Sequence, residues 1–92
     1  MKDFLLFTLP SCPYCRQALA WQSQLFARCP QYAPLAPRVV DESKEPELAR
    51  RMGYDLVPCY FWGGEKLAEG ILTPEKIEEV FRRVYSEVQA KS

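Results

Sequence analysis

Asp3-Phe4-Leu5-Leu6-Phe7-Thr8-Leu9-Pro10-Ser11-Cys12-Pro13-Tyr14-Cys15 is the stretch on which the fold turns. Asp3 to Thr8 is a short, nearly continuous apolar run, closed by the Pro10-Ser11 break, and reads as a strand buried on both faces. Cys12-Pro13 then opens a helix, since proline suits the first helical position, where its missing N–H would be unpaired anyway. Cys12 and Cys15 therefore fall at a strand-to-helix junction, on the first turn of the helix. Unpaired backbone N–H groups and the positive end of the helix dipole favour thiolate at the first of the two. Cys15, one turn inside, is sheltered and suited to resolving a mixed disulfide.

Outward from this stretch, Ala18, Leu19, Leu25, Phe26 and Cys29 recur at helical spacing, flanked by Trp21 and interrupted by Gln22, until Pro30 stops the helix. Pro30, Pro34 and Pro37 predict an extended, loop-like segment. Leu35 to Val40 reads as a strand, and Pro37 within it assigns it to a sheet edge. Ser43 to Met52 reads as a short helix, with Glu45 and Glu47 early and Arg50-Arg51 late, and Gly53 closes it in the left-handed conformation. Val57 to Trp62, Gly63-Gly64 and Glu65 to Glu69 read as strand, tight turn and strand. Thr73-Pro74-Glu75 caps and opens a last helix, with Ile77, Val80, Phe81, Val84 and Val88 along one face. The order β-α-β-α-β-β-α predicts one α/β domain over residues 1–92, a four-stranded mixed sheet with helices on both faces.

Twelve basic and twelve acidic side chains cancel. That balance argues against an electrostatic grip on nucleic acid or an anionic membrane. No run approaches the ~18 apolar residues of a membrane span, and none resembles a secretory core followed by a cleavage site. A cytoplasmic location is expected. Histidine is absent, which removes the commonest general base and the commonest zinc ligand, so chemistry falls to carboxylates, lysines or the four cysteines.

C-x-x-C within a βαβ pattern is a redox signature. The competing reading is half a zinc site, but zinc takes four ligands, usually as two close pairs. Cys29 and Cys59 are singletons far from the first pair along the chain, so no metal ligands are assigned. Cys29 ends the apolar face of the first helix and reads as a small buried hydrophobe. Cys59 follows Pro58 and reads as either core or a neighbour of the site.

Phe4 to Thr8 leading into Ser11-Cys12-Pro13-Tyr14-Cys15, then Val57-Pro58 and Gly70, resemble the dithiol glutaredoxins over nearly the whole chain. The resemblance implies a minimal thioredoxin fold and thiol–disulfide oxidoreductase activity. By it Cys12 is the nucleophile, Cys15 closes a redox disulfide with it, and the Val57–Pro58 bond is cis beside both. Against this stands a trans proline that merely starts an edge strand. Tyr14, Val57, Pro58, Gly70 and Thr73 are implied to bind substrate. No bound cofactor is implied, and glutathione is a possible reducing co-substrate. Partners would be a disulfide-bearing protein or small thiol, reduced in turn by glutathione or a flavoprotein reductase.

Two positions depart from that pattern. Leu9 stands where the family carries a lysine that meets a glutathione carboxylate, and Gly70-Ile71-Leu72-Thr73 replaces a Gly-Gly followed by Asp. The α-helical N-terminus behind Thr73 remains able to receive a carboxylate. Two alternatives follow: a glutathione-independent redoxin served by a thioredoxin reductase, and a non-enzymatic module holding a metal or iron–sulfur cluster.

Overall fold

The computed structural model describes residues 2–90; the ends of the expected domain, residues 1 and 91–92, lie outside the described residues. Strands β1 (Phe4–Thr8), β2 (Arg38–Asp41), β3 (Cys59–Trp62) and β4 (Glu65–Glu69) form one mixed sheet in the order β2-β1-β3-β4. β1 runs parallel to β2 and antiparallel to β3, and β3 runs antiparallel to β4. The helices are α1 (Pro13–Arg28), α2 (Pro46–Met52) and α3 (Pro74–Ala90). Among the described residues, no helix is long and apolar enough to cross a membrane.

Because successive strand residues face opposite ways, β1 and β3 build two cores at once. Phe4, Leu6, Tyr60 and Trp62 face α1 and α3, around Ala18, Leu25, Ile77, Val80, Phe81 and Val84. Phe7, Cys59 and Phe61 face the other way with Val40, where Leu48, Ala49 and Met52 of α2 cover them. Phe81 is the hub of the larger core, with ring centroids at 5.1 Å from Phe26, 5.4 Å from Phe4 and 6.0 Å from Tyr60. Each such buried side chain stabilises the fold by about 1.5–3 kcal/mol relative to exposure.

The turns follow their residues. Gly53 closes α2 at φ 69°, as expected. Gly63 and Gly64, both at positive φ, join β3 to β4 in a two-residue hairpin. Thr73 Oγ1 accepts the Lys76 N–H at 3.1 Å and caps α3.

Five expectations are corrected. Pro30–Leu35 is a 3₁₀ helix, not an extended segment. Proline φ angles are compatible with 3₁₀ geometry, and the i, i+3 pair Tyr32 and Leu35 is buried against α3's core face. β2 is an edge strand as expected but begins at Arg38, because Leu35 ends that 3₁₀ turn. α2 begins at Pro46 instead of Ser43: Asp41 Oδ1 accepts from the Ser43 N–H at 2.9 Å and its hydroxyl at 2.6 Å, holding a turn there. β3 starts at Cys59 instead of Val57. Gln22 does not break the α1 stripe but is buried within it, its Oε1 accepting the Tyr60 hydroxyl at 2.7 Å.

Candidate active site

β1 ends at Thr8, and the chain turns through Leu9, Pro10 and Ser11 into α1. Two bonds fix the turn: the Cys12 N–H donates to the Leu9 carbonyl at 3.1 Å, and Arg16 Nη1 donates to the Pro10 carbonyl at 3.1 Å. Cys12 is the N-cap, at φ −90° and ψ 111°, with Pro13 behind it. Its Sγ takes the place of the usual capping oxygen and accepts the Cys15 N–H at 3.2 Å. The sulfur is thus held by an otherwise unpaired helix N–H, with the axis of α1 directed at it.

The two thiols are differentiated by depth. Cys12 is partly exposed, whereas Cys15 is 1% exposed. Burial pushes the Cys15 thiol up to about 12, and its hydrogen bond to the Cys12 sulfur adds to the shift. Nearby Glu42 raises it further, against a lowering contact from the Leu9 backbone. One sulfur meets solvent at a helix N-terminus; its partner stays protonated beneath it.

The opposite wall comes from the segment between α2 and β3. The Cys12 thiol points at the Val57 carbonyl, 3.9 Å away. The Val57–Pro58 bond is cis. Pro58 is buried, and its carbonyl accepts the Gly70 N–H at 2.9 Å. Gly70 sits at φ 87°, and a Cβ there would lie 3.1 Å from Leu56 Cδ1, so glycine serves both the backbone conformation and the close approach. Cys12, Cys15, Val57, Pro58 and Gly70 therefore form one connected set. Tyr14 is 47% exposed on the first turn of α1, beside the sulfur in sequence, while Thr73 is exposed and serves its own helix as cap.

Glu69 was not singled out by the sequence. Its Oε2 accepts the N–H groups of Asp55 at 2.5 Å and Leu56 at 2.8 Å, and its Oε1 meets Lys66 Nζ at 2.8 Å. The Lys66 contact and then these two N–H donors hold its carboxyl down to about 2. The end of β4 thus clamps the segment that carries Val57. A glutamate at a strand end next to glycine carries no signal of this in one dimension.

Cys59 is fully buried in the smaller core, where burial, then the Glu69 charge, pushes its thiol up to about 12. Cys29 is partly buried against the larger core. Among the described residues, no group of three or more His, Cys, Asp or Glu side chains is placed to hold a metal ion. A cleft of about 450 Å³ opens beside Leu9, lined also by Glu42, Arg50, Tyr54 and Asp55.

No protein-family model matches this chain, and no curated protein matches its sequence. Among solved structures, one described as "Structure of a malarial protein" is similar, with a TM-score of 0.66 and 17% sequence identity. The match covers 90% of this chain and 96% of that one. At that identity the likeness is one of fold alone.

Proposed function

We propose that this protein is a thiol–disulfide oxidoreductase of the thioredoxin fold, similar to the dithiol glutaredoxins, which reduces protein or low-molecular-weight disulfides. The observation that carries the reading is the pairing of Cys12, the helix-capping and solvent-facing sulfur, with Cys15, buried and hydrogen-bonded to it. In the first step Cys12 thiolate attacks a substrate sulfur, forming a mixed disulfide and releasing one thiolate. In the second, Cys15 loses its proton and attacks Cys12 Sγ, expelling the second substrate thiolate. The substrate disulfide gains two electrons and the Cys12–Cys15 pair is oxidised to a disulfide. The Val57 carbonyl, already aimed at the sulfur, is a backbone acceptor for an extended substrate lying along Val57-Pro58.

Reduction of the oxidised pair falls to glutathione or a flavoprotein reductase. Leu9, on the rim of the cleft, brings no positive charge to a tripeptide carboxylate, which favours a protein reductant over glutathione. The test is disulfide reduction driven in turn by glutathione with its reductase and by thioredoxin reductase. Cys12→Ser abolishes turnover in both systems, and Cys15→Ser spares only reactions that need one thiol. Turnover that persists in Cys12→Ser overturns the assignment.

A further inference from the structure

Two unlike surfaces adjoin the Cys12 turn. The cleft beside Leu9 has charged walls, Glu42, Arg50 and Asp55, with the Tyr54 hydroxyl donating to Glu42 Oε1 at 2.5 Å. The surface beside Val57 and Gly70 is apolar. Four large hydrophobic side chains are exposed among the described residues: Tyr14, Val39, Leu56 and Ile71. Val39 belongs to the edge strand β2, whereas each of the other three lies within two residues of Cys12, Val57 or Gly70. Scattered exposed hydrophobes carry no message, but three gathered around one nucleophile mark a contact surface.

Leu56 and Ile71 form one shelf. Leu56 is 59% exposed and immediately precedes Val57, whose carbonyl faces the Cys12 thiol at 3.9 Å. Its Cδ1 lies 3.1 Å from where a Cβ on Gly70 would stand, so the leucine rests against the Gly70 backbone, and Ile71 follows at 71% exposed. The backbone beneath both is held: Glu69 Oε2 accepts the Leu56 N–H at 2.8 Å, and the Gly70 N–H donates to the Pro58 carbonyl at 2.9 Å. Two apolar side chains are thus kept in water beside the nucleophile on a fixed frame. Lys66 of β4 is already held by Glu69 at 2.8 Å, and Asp55, next to Leu56, repels a carboxylate laid there.

We propose that the Leu56–Ile71 shelf receives the apolar side chain next to the cysteine of a polypeptide disulfide, so that the preferred substrates are protein disulfides flanked by apolar residues. Three features select this occupant. The shelf adjoins the sulfur that makes the attack, so what covers it carries the disulfide. The Val57 carbonyl beside it is a backbone acceptor, which a polypeptide N–H meets. An extended chain advances about 3.3 Å per residue, which brings the neighbour of a cysteine seated at Cys12 onto the shelf. Glutathione has a γ-glutamyl and a glycyl group in those places and gains nothing from Leu56 or Ile71. In the exchange, Cys12 thiolate displaces one peptide thiolate, which takes a proton from solvent. Cys15 displaces the second, which takes the proton that Cys15 gives up. Two peptide thiols form as the Cys12–Cys15 disulfide closes.

The proposal rests on the dithiol reading above, and one experiment separates the two. Reduced protein in excess is mixed with the symmetric disulfide of an end-blocked peptide carrying leucine, or serine, on both sides of its single cysteine. Samples are quenched in acid, and released peptide thiol is measured by chromatography. Each rate is divided by that of the same protein with hydroxyethyl disulfide, which has no side chain to reach the shelf, and corrected for the peptide's rate with dithiothreitol. The leucine peptide reacts about five- to tenfold faster than the serine peptide, at or below the low end of what a closed apolar pocket gives, because a shelf covers one side of the guest. Leu56→Ser combined with Ile71→Ser brings the ratio close to one, whereas Val39→Ser, which removes another exposed hydrophobe, leaves it in place. A ratio of one or less in the wild-type protein, or a preference that survives the double variant, overturns the shelf and leaves the dithiol reading intact. Failure of all three disulfides to oxidise the Cys12–Cys15 pair overturns both.

Discussion

Tyr60→Phe removes one oxygen from the centre of the larger core, and its cost can be worked from the surroundings of that oxygen. Tyr60 is 0% exposed, and its hydroxyl donates at 2.7 Å to Oε1 of Gln22, itself 7% exposed. Burial raises the phenol out of its ordinary range, which keeps it a neutral donor at all working pH. Phenylalanine fills the same ring contacts with Phe4 and Phe81, so little packing is lost. What remains is a buried amide oxygen without its donor, costing about 1–3 kcal/mol. For a domain of this size each kcal/mol shifts Tm by roughly 4–8 °C. Adding Gln22→Leu to Tyr60→Phe removes the stranded acceptor as well, and the double variant recovers most of the loss, because an apolar pair of similar shape is nearly neutral. Urea unfolding followed by circular dichroism, run as a double-mutant cycle, measures the coupling. A Tyr60→Phe variant within about 0.5 kcal/mol of wild type, the range of surface substitutions, and a double variant no better than additive would refute the reasoning.

Two further outcomes are expected. Cys15 and Cys59 have an ordinary value of 9.0 and are pushed up to about 12 by burial first. The folded state therefore holds their protons longer than the unfolded chain, so their contribution is complete below pH 9 and is lost as pH rises toward 12. Thermal unfolding across that interval shows a falling Tm, and Cys59→Ala, though less stable near neutrality, falls less steeply. A parallel decline in both proteins would contradict the assignment. Glu69 shifts the opposite way, from 4.5 to about 2, so its grip on Asp55 and Leu56 is full above 4.5 and is lost as pH falls through about 2. Glu69→Gln, examined by hydrogen exchange near neutrality, gives several-fold faster exchange of those two amides; unchanged protection would show that the loop holds itself.

Much of this architecture is written in short-range terms. The N-terminal run, Pro13, Gly53, Gly63-Gly64 and Thr73 each act through their own neighbours, and the element ends they set appear where expected. The two cysteines were legible because both the pair and its place at a helix start are local. The departures have a different origin. The prolines of the 3₁₀ segment are read as extended unless the i, i+3 burial of Tyr32 and Leu35 is weighed beside them. Gln22 looks like a flaw in an apolar stripe until Tyr60 arrives from β3 to occupy its oxygen. Glu42, Tyr54 and Glu69 act across elements that only the sheet brings together. A lone carboxylate in a charged sequence gives no sign of its partner.

The most direct measurement of the central claim is the pairing of sulfurs after a single oxidation. Reduced protein is treated with one equivalent of a small disulfide, remaining thiols are alkylated under denaturing conditions, and the peptides are mapped by mass spectrometry. A dithiol site predicts one intramolecular bond, Cys12 to Cys15, with Cys29 and Cys59 recovered alkylated. Cys12 recovered as a stable mixed disulfide beside an alkylated Cys15, or bonded instead to Cys59, would contradict it.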